Sequence, residues 1–284
     1  MTYLVNVGLA QISSEPYEID ANRALCDEAI DVAFSQGADL VILPELIVSG
    51  YVADGRRLFP LAEPVPGPST AAWEEMARNA SGYIVAGLCE RDGESLYNSA
   101  VLVGPEGLIG HYRKAHLFAD EKVAFVPGNL GFPVVRTRFG TIGICVCYDL
   151  RFVEVVRLMA LRGADMICVP TAWLPGFDQE RWDAAGMSPQ GHVARLQANL
   201  NQVFIAAASQ AGRHGGNDFL GSSILVDPYG HVVLGPMASD QDQIEVVTVD
   251  MAAVVRSQQR GDLIAPRADR RTDLYGIVSR EQVL

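Results

Sequence analysis

Two stretches of the chain, Gly37-Ala-Asp-Leu-Val-Ile-Leu-Pro-Glu45 and Gly163-Ala-Asp-Met-Ile-Cys-Val-Pro-Thr171, nearly repeat each other, and their pattern leaves few folds open. Each begins with a glycine that stops a helix, continues as an apolar strand, and ends on a proline that cannot donate to a ladder. The first follows an apolar run from Leu4 to Ile12 and a helical spacing at Leu25, Ala29, Ile30 and Ala33. The second follows a strand from Thr141 to Cys147 and a helix from Arg151 to Leu161. Two such units imply a layered α/β architecture with buried parallel strands, whose sites gather beyond the carboxyl ends of those strands. Glu45, Cys147 and Thr171 all fall there. Ordinary helix-to-strand packing could produce the same likeness, so the repeat speaks to fold class and not to chemistry.

The remaining pattern fills in a helix over 70–79, strands over 83–89 and 99–103, and a hairpin return over 108–113. A helix near 191–200 and strands near 203–209, 222–226, 231–234 and 244–249 follow. With 284 residues, 49% of them hydrophobic, there is material for one large core, so the expectation is a single domain over 1–284. A formal charge of −12 repels nucleic acid and anionic membrane surfaces. No run of 18 apolar residues occurs, and the start shows no export signal. Five cysteines, an odd number set mostly in apolar runs, read as reduced thiols of a cytoplasmic protein.

Chemistry is carried by three positions. Glu45 directly follows a buried strand and Pro44, where a solvated carboxylate is not expected; an ion pair or a helix cap explains it as well as catalysis does. The chain has 20 arginines and only two lysines. Lys122 reads as a chance survivor of that bias, whereas Lys114, in Tyr112-Arg-Lys-Ala-His-Leu-Phe118, supplies a compact, tunable ammonium directly after a strand. Cys147 ends an apolar run that turns abruptly into Tyr148-Asp149, a nucleophile elbow whose backbone N–H groups would favour a thiolate. Cys26, Cys89, Cys145 and Cys168 read as inert hydrophobes. Cys145-Val-Cys147 lacks a second pair of ligands, so no metal is expected; nucleotide-cradling and H-E-x-x-H motifs are missing too. Among the five histidines, His116 lies nearest the suspected site, in a supporting hydrogen-bonding role.

Taken in order, these motifs resemble the nitrilase (carbon–nitrogen hydrolase) superfamily. The likeness runs from about Val7 to Tyr275 through Gly8-Leu-Ala-Gln11, Leu43-Pro-Glu45 with Ser49-Gly-Tyr51, Tyr97-Asn-Ser-Ala100, Tyr112-Arg-Lys114 and His116-Leu-Phe118. It continues through Glu121, Phe125-Val-Pro-Gly128, Cys147-Tyr-Asp-Leu-Arg-Phe152 with Glu154, Gly221-Ser222-Ser223 and Arg270-Arg-Thr-Asp-Leu-Tyr275. The resemblance implies a four-layer α-β-β-α sandwich and a Glu45–Lys114–Cys147 triad with Glu121 as a supporting acid. It implies no cofactor, and at least a homodimer, with a C-terminal tail (about 256–284) packing on a partner subunit.

In that reading Cys147 attacks, Glu45 moves the proton, and Lys114 with the backbone N–H of Tyr148 holds the oxyanion. Nitrilases proper usually follow the nucleophile with Trp-Glu. Tyr148-Asp149 instead resembles the amidase and Nit-like branch, so the expected substrate is a small, short-chain aliphatic amide, cleaved to acid and ammonia. N-carbamoyl amines, omega-amides and nitriles are the alternatives, and a non-catalytic interaction module is a further one. Trp173 is expected to wall the acyl pocket and Tyr51 to bind substrate, with Phe177 and Trp182 as weaker candidates and Arg151 pairing with a carboxylate such as Glu154. One departure stands out: Leu200 occupies a position that is usually acidic in the helix before Val203.

Overall fold

The computed structural model describes residues 3–176, 178, 182–184 and 186–277. The first half runs β1 (Leu4–Gln11), α1 (Ile19–Ser35), β2 (Leu40–Ile42), α2 (Gly55–Leu58), α3 (Pro68–Ala80), β3 (Tyr83–Asp92), β4 (Ser95–Gly104), β5 (Gly107–Arg113) and α4 (Glu121–Ala124). The second runs β6 (Val134–Thr137), β7 (Gly140–Ile144), α5 (Val153–Leu161), β8 (Met166–Thr171), α6 (Pro189–Asn201), β9 (Phe204–Ser209), β10 (Arg213–His214), β11 (Asn217–Asp218), β12 (Ile224–Val226), β13 (Val232–Leu234), β14 (Gln243–Asp250) and α7 (Ala252–Gln258).

The repeated segments do the same mechanical work twice. Gly37 (φ +86°) and Gly163 (φ +93°) take the left-handed conformation that closes α1 and α5. In each case the next residue's N–H bonds back into the last helical turn, Ala38 to Ala33 at 3.1 Å and Ala164 to Met159 at 3.0 Å. The aspartate that follows then fixes the neighbouring strand: Asp39 Oδ2 accepts the Asn6 N–H and Asp165 Oδ2 the Thr141 N–H, both at 2.9 Å. Those bonds set the register of β1 beside β2 and of β7 beside β8.

The result is two sheets of matching topology, β14-β1-β2-β3-β4-β5 and β6-β7-β8-β9-β12-β13. In each, three central strands are parallel and the flanking strands antiparallel. Alternation along the first sheet separates its faces. Val7, Leu9, Leu40, Ile42, Val85 and Leu102 point into a core shared with the second sheet. Val41, Leu43, Ile84, Ala86 and Val101 pack instead with Ala29, Ile30 and Ala33 of α1 and Trp73 and Ala77 of α3. Helices α5 and α6 cover the far face of the second sheet through Val155, Met159, Ala194 and Ala198. The architecture is therefore the expected α-β-β-α sandwich.

Differences are local. The strand expected to reach Cys147 stops at Ile144, a 3₁₀ turn occupies Cys147–Arg151, and α5 begins only at Val153. Edge strand β6 escapes the apolar reading because its four residues are only partly buried or exposed. No helix among the described residues is long and apolar enough to cross a membrane.

Candidate active site

Glu45 sits where β2 ends and the chain dives between the sheets, its side chain fully buried. Its segment crosses β3 at Gly87, where an added β-carbon would lie 2.6 Å from Glu45 Cα; the Gly87 N–H donates to the Pro44 carbonyl at 3.1 Å. The next residue, Leu46, holds φ +48°. Gln210 Nε2 donates to the Glu45 carbonyl at 2.9 Å, completing a rigid seat for the carboxylate.

Lys114 follows β5 and is 1% exposed. Its N–H donates to the Asn98 carbonyl at 2.7 Å, and its own carbonyl accepts from Gly128 at 2.8 Å. Only a glycine permits that approach, since a β-carbon on Gly128 would stand 1.8 Å from the Arg113 carbonyl oxygen. Held at both ends, Lys114 aims Nζ at two carboxylates, donating to Glu45 Oε1 at 2.6 Å and to Glu121 Oε1 at 2.7 Å. Asn98 Nδ2 adds a bond to Glu45 Oε1 at 2.7 Å. Glu121 is anchored in turn: Oε2 accepts the Phe118 N–H at 3.0 Å and Oε1 the Tyr51 hydroxyl at 2.7 Å. One atom is left over. Glu45 Oε2 is buried with no hydrogen-bond partner among the described residues.

Cys147 adopts φ +47° at the head of its turn, a conformation that costs a non-glycine residue about 1–3 kcal/mol and is held by its surroundings. The holder is Asp149, fully buried: Oδ2 accepts the Val146 N–H at 3.0 Å and the Tyr112 hydroxyl at 2.7 Å, and Oδ1 accepts the His116 N–H at 3.0 Å. The His116 ring, with Nδ1 2.8 Å from Asp149 Oδ1, stacks on Phe152 at 3.6 Å. Its role is thus to fix the turn.

Electrostatics correct one expectation. Burial, and then the Glu45 charge, push the Cys147 thiol well above its ordinary value, against the Lys114 ammonium and a backbone bond from Ala172. The resting state is a neutral thiol and not a thiolate. Burial also raises Glu45, opposed by Lys114 and assisted by Glu121, to about 7. For Lys114 burial acts downward, but its two carboxylates outweigh it and keep the ammonium protonated.

A cavity of about 30 Å³ opens at Cys147, lined by Tyr148, Leu150, Ala172, Trp173, Gln190 and Val193 among others. That is room for about two or three water molecules. Trp173, 3% exposed, lines it. Tyr51 lines a neighbouring groove of about 520 Å³ with Phe118 and Glu121. Arg151 pairs with Asp178, not with the expected Glu154. Trp182 is half-buried and not among the cavity's lining residues, and Phe177 lies outside the described residues. Leu200 is 45% exposed, whereas the inner face of α6 carries Gln197, which donates to the Leu150 carbonyl at 3.1 Å, and Asn201, which donates to Gln197 Oε1 at 3.0 Å. The missing acid therefore falls on the surface side of that helix.

Asn98, Asp149, Gln190 and Gln210 had been given no role. Asn98 and Asp149 stand inside the motifs quoted above, so position offered a signal for those two; the other pair are ordinary glutamines until the fold brings them in.

Comparison with known proteins agrees with this arrangement. The profile of the carbon–nitrogen hydrolase family matches residues 6–259. A nitrilase of Pyrococcus abyssi is 37% identical over 96% of this chain and 99% of its own, and a chloroplastic omega-amidase of Arabidopsis thaliana 32% identical over 98% and 75%. Among solved structures, a variant amidase from Nesterenkonia sp. AN1, with the acetamide moiety of fluoroacetamide covalently added at its active-site cysteine, superposes with a TM-score of 0.76. It is 27% identical, with 96% of this chain and 95% of that one covered.

Proposed function

The chain belongs to the carbon–nitrogen hydrolase family, and on that premise we propose that it is an amidase that cleaves short-chain aliphatic amides through a thioester on Cys147. The observation that carries this reading is Glu45: one oxygen is held by Lys114 and Asn98, and the other is buried with no hydrogen-bond partner among the described residues. A carboxylate raised to about 7 beside a neutral thiol can take its proton at working pH. Oε2 accepts the thiol proton as sulfur bonds to the carbonyl carbon. Lys114 and the Tyr148 backbone N–H stabilise the oxyanion, a contribution of about 3–4 kcal/mol per donor in comparable sites. Glu45 passes the proton to the leaving nitrogen, the C–N bond breaks, and ammonia departs. Water then attacks the thioester, Glu45 takes its proton, and the acid leaves as the thiol is restored. Glu121 and Tyr51 position Lys114.

The small cavity beside Cys147 supports a short acyl group, and the covalent acetamide adduct of the similar amidase supports the cysteine route. The nitrilase and omega-amidase relatives make nitriles and omega-amides the competing substrates. Ammonia release on a panel of short amides, N-carbamoyl amines, omega-amides and nitriles decides among them. Mass spectrometry after quenching with a slow amide is expected to find the acyl group on Cys147 and not Cys145, and Cys147→Ala to lose all turnover. An active Cys147→Ala protein overturns the reading.

We read the chain as a single domain of a cytoplasmic homodimer or larger homo-oligomer. Five free, buried cysteines support the compartment. Leu263, 93% exposed, and Leu274, 70% exposed, support a tail that packs on a partner subunit; residues 278–284 of it lie outside the described residues. Light scattering of the full chain and of a chain ending at 259 tests this.

A further inference from the structure

Asn98 touches Glu45 and Lys114 at once. It is fully buried on β4, a strand paired with β3 along one edge and with β5 along the other. Its carbonyl accepts the Lys114 N–H and its Nδ2 donates to Glu45 Oε1, both at 2.7 Å. Glu45 Oε1 therefore takes two donors, Asn98 Nδ2 and the Lys114 ammonium, whereas Oε2 takes none among the described residues. The ammonium alone does not fix that asymmetry. It is shared with Glu121 and, as a compact point charge, attracts either oxygen of a carboxylate. An amide nitrogen only donates, and here it is mounted on a strand held from both sides.

We infer that Asn98 is the positioning residue of the base: its Nδ2 holds Glu45 Oε1 in both protonation states, so that Oε2 alone exchanges protons with the Cys147 thiol and the leaving nitrogen. A carboxyl group held in this way need not rotate between taking a proton and passing it on. The bond also favours the charged form that it faces. Burial pushes Glu45 towards neutrality and Glu121 assists it; Lys114 and the Asn98 bond oppose them. The other titratable groups that face Glu45 are Cys147, on the turn after β7, and Tyr51, in the chain after β2. The inference rests on the amidase reading above and names the group that orients its base.

The test is the acid limb of kcat/KM in two variants. Asn98→Leu keeps the branched outline and removes the donor; Asn98→Val does the same with one methylene fewer and suits a strand. Without the donor, burial and Glu121 are less opposed, so the limb should move up from about 7 by about one pH unit. Below the limb that shift reads as about tenfold lower kcat/KM, and the loss should shrink above it. A merely structural Asn98 would lower the rate by a common factor at every pH and leave the limb in place. Iodoacetamide gives the same limb without turnover: the Cys147 sulfur bonds to its carbon, iodide leaves, and Glu45 takes the thiol proton. Mass spectrometry then counts the adduct on Cys147. If the wild type hydrolyses no amide, the amidase reading fails while the alkylation limb still decides the role of Asn98. A limb that moves up in at least one of the two variants bears the inference out. One that stays in place or moves to lower pH in both overturns it.

Discussion

The backbone N–H of Glu45 donates to the carbonyl of Thr171 at 3.3 Å, so the final residues of the two repeated segments are bonded to each other across the sheets. The repeat thus accounts for where the site lies as well as for the fold. Two copies of one strand-ending device face one another, and the copy that ends in an acid supplies the carboxylate while the other supplies the wall around Ala172 and Trp173.

Because that meeting depends on close passage over β3, Gly87→Ala is expected to displace Glu45. A β-carbon 2.6 Å from Glu45 Cα and 2.7 Å from the Pro44 oxygen meets backbone, which cannot swing aside as a side chain can. The predicted loss in kcat/KM is about 100-fold, the scale of a 1 Å misplacement, with a stability cost of about 1–3 kcal/mol. Kinetics together with a denaturant titration check both; near-normal activity would show that the Glu45 seat is adaptable.

Lys114→Arg is expected to be inactive, although arginine is this chain's usual cation. The ammonium makes bonds of 2.6 and 2.7 Å to two carboxylates in a space with no exposure, and a planar guanidinium neither fits that volume nor presents its charge at one point. A fall in kcat of at least about 100-fold, with an unchanged circular dichroism spectrum, is the expected result.

Glu45, Lys114 and Cys147 were legible in the sequence because each comes just after an apolar strand, β2, β5 and β7 ending at Ile42, Arg113 and Ile144, and chain position alone put them at one end of the sandwich. What was hidden depends on contacts between distant segments. Nothing local marks Asn98 as a partner of Glu45, 2.7 Å away, or Gly87 as the floor beneath it. The thiolate expectation failed for a related reason: the elbow's N–H groups are a local feature, whereas the burial and the Glu45 charge that outweigh them come from the opposite sheet. Arg151 likewise found Asp178, beyond β8, in preference to its neighbour Glu154.

The pH dependence follows from Glu45. Its carboxylate form accepts the thiol proton, so kcat/KM should rise with pH through about 7 and lose activity on the acid side. Glu121 contributes to raising Glu45, so Glu121→Gln should move the acid limb to lower pH even as it reduces the rate by loosening Lys114. Lys114 is held protonated above its ordinary value and adds no alkaline limb in the neutral range. A limb that stays put in Glu121→Gln, or that lies near an ordinary carboxylate value in the wild type, assigns the base to another group.

If the cavity at Cys147 holds the acyl group, as proposed, Trp173, which lines it, sets its depth. Its main chain is pinned independently of its ring, the N–H donating to Ser209 Oγ at 3.2 Å and the carbonyl accepting from Leu220 at 2.8 Å, so removing the indole should enlarge the cavity and leave the strand end in place. Trp173→Ala is therefore expected to shift preference from two- to four-carbon amides toward longer chains. Each added methylene that reaches the new space recovers about 0.8 kcal/mol, or about fourfold in kcat/KM. Rates for acetamide, butyramide, hexanamide and octanamide in both proteins measure the slope with chain length. A slope identical in wild type and Trp173→Ala would place the acyl group outside the cavity that Trp173 walls, in the wider groove beside Tyr51.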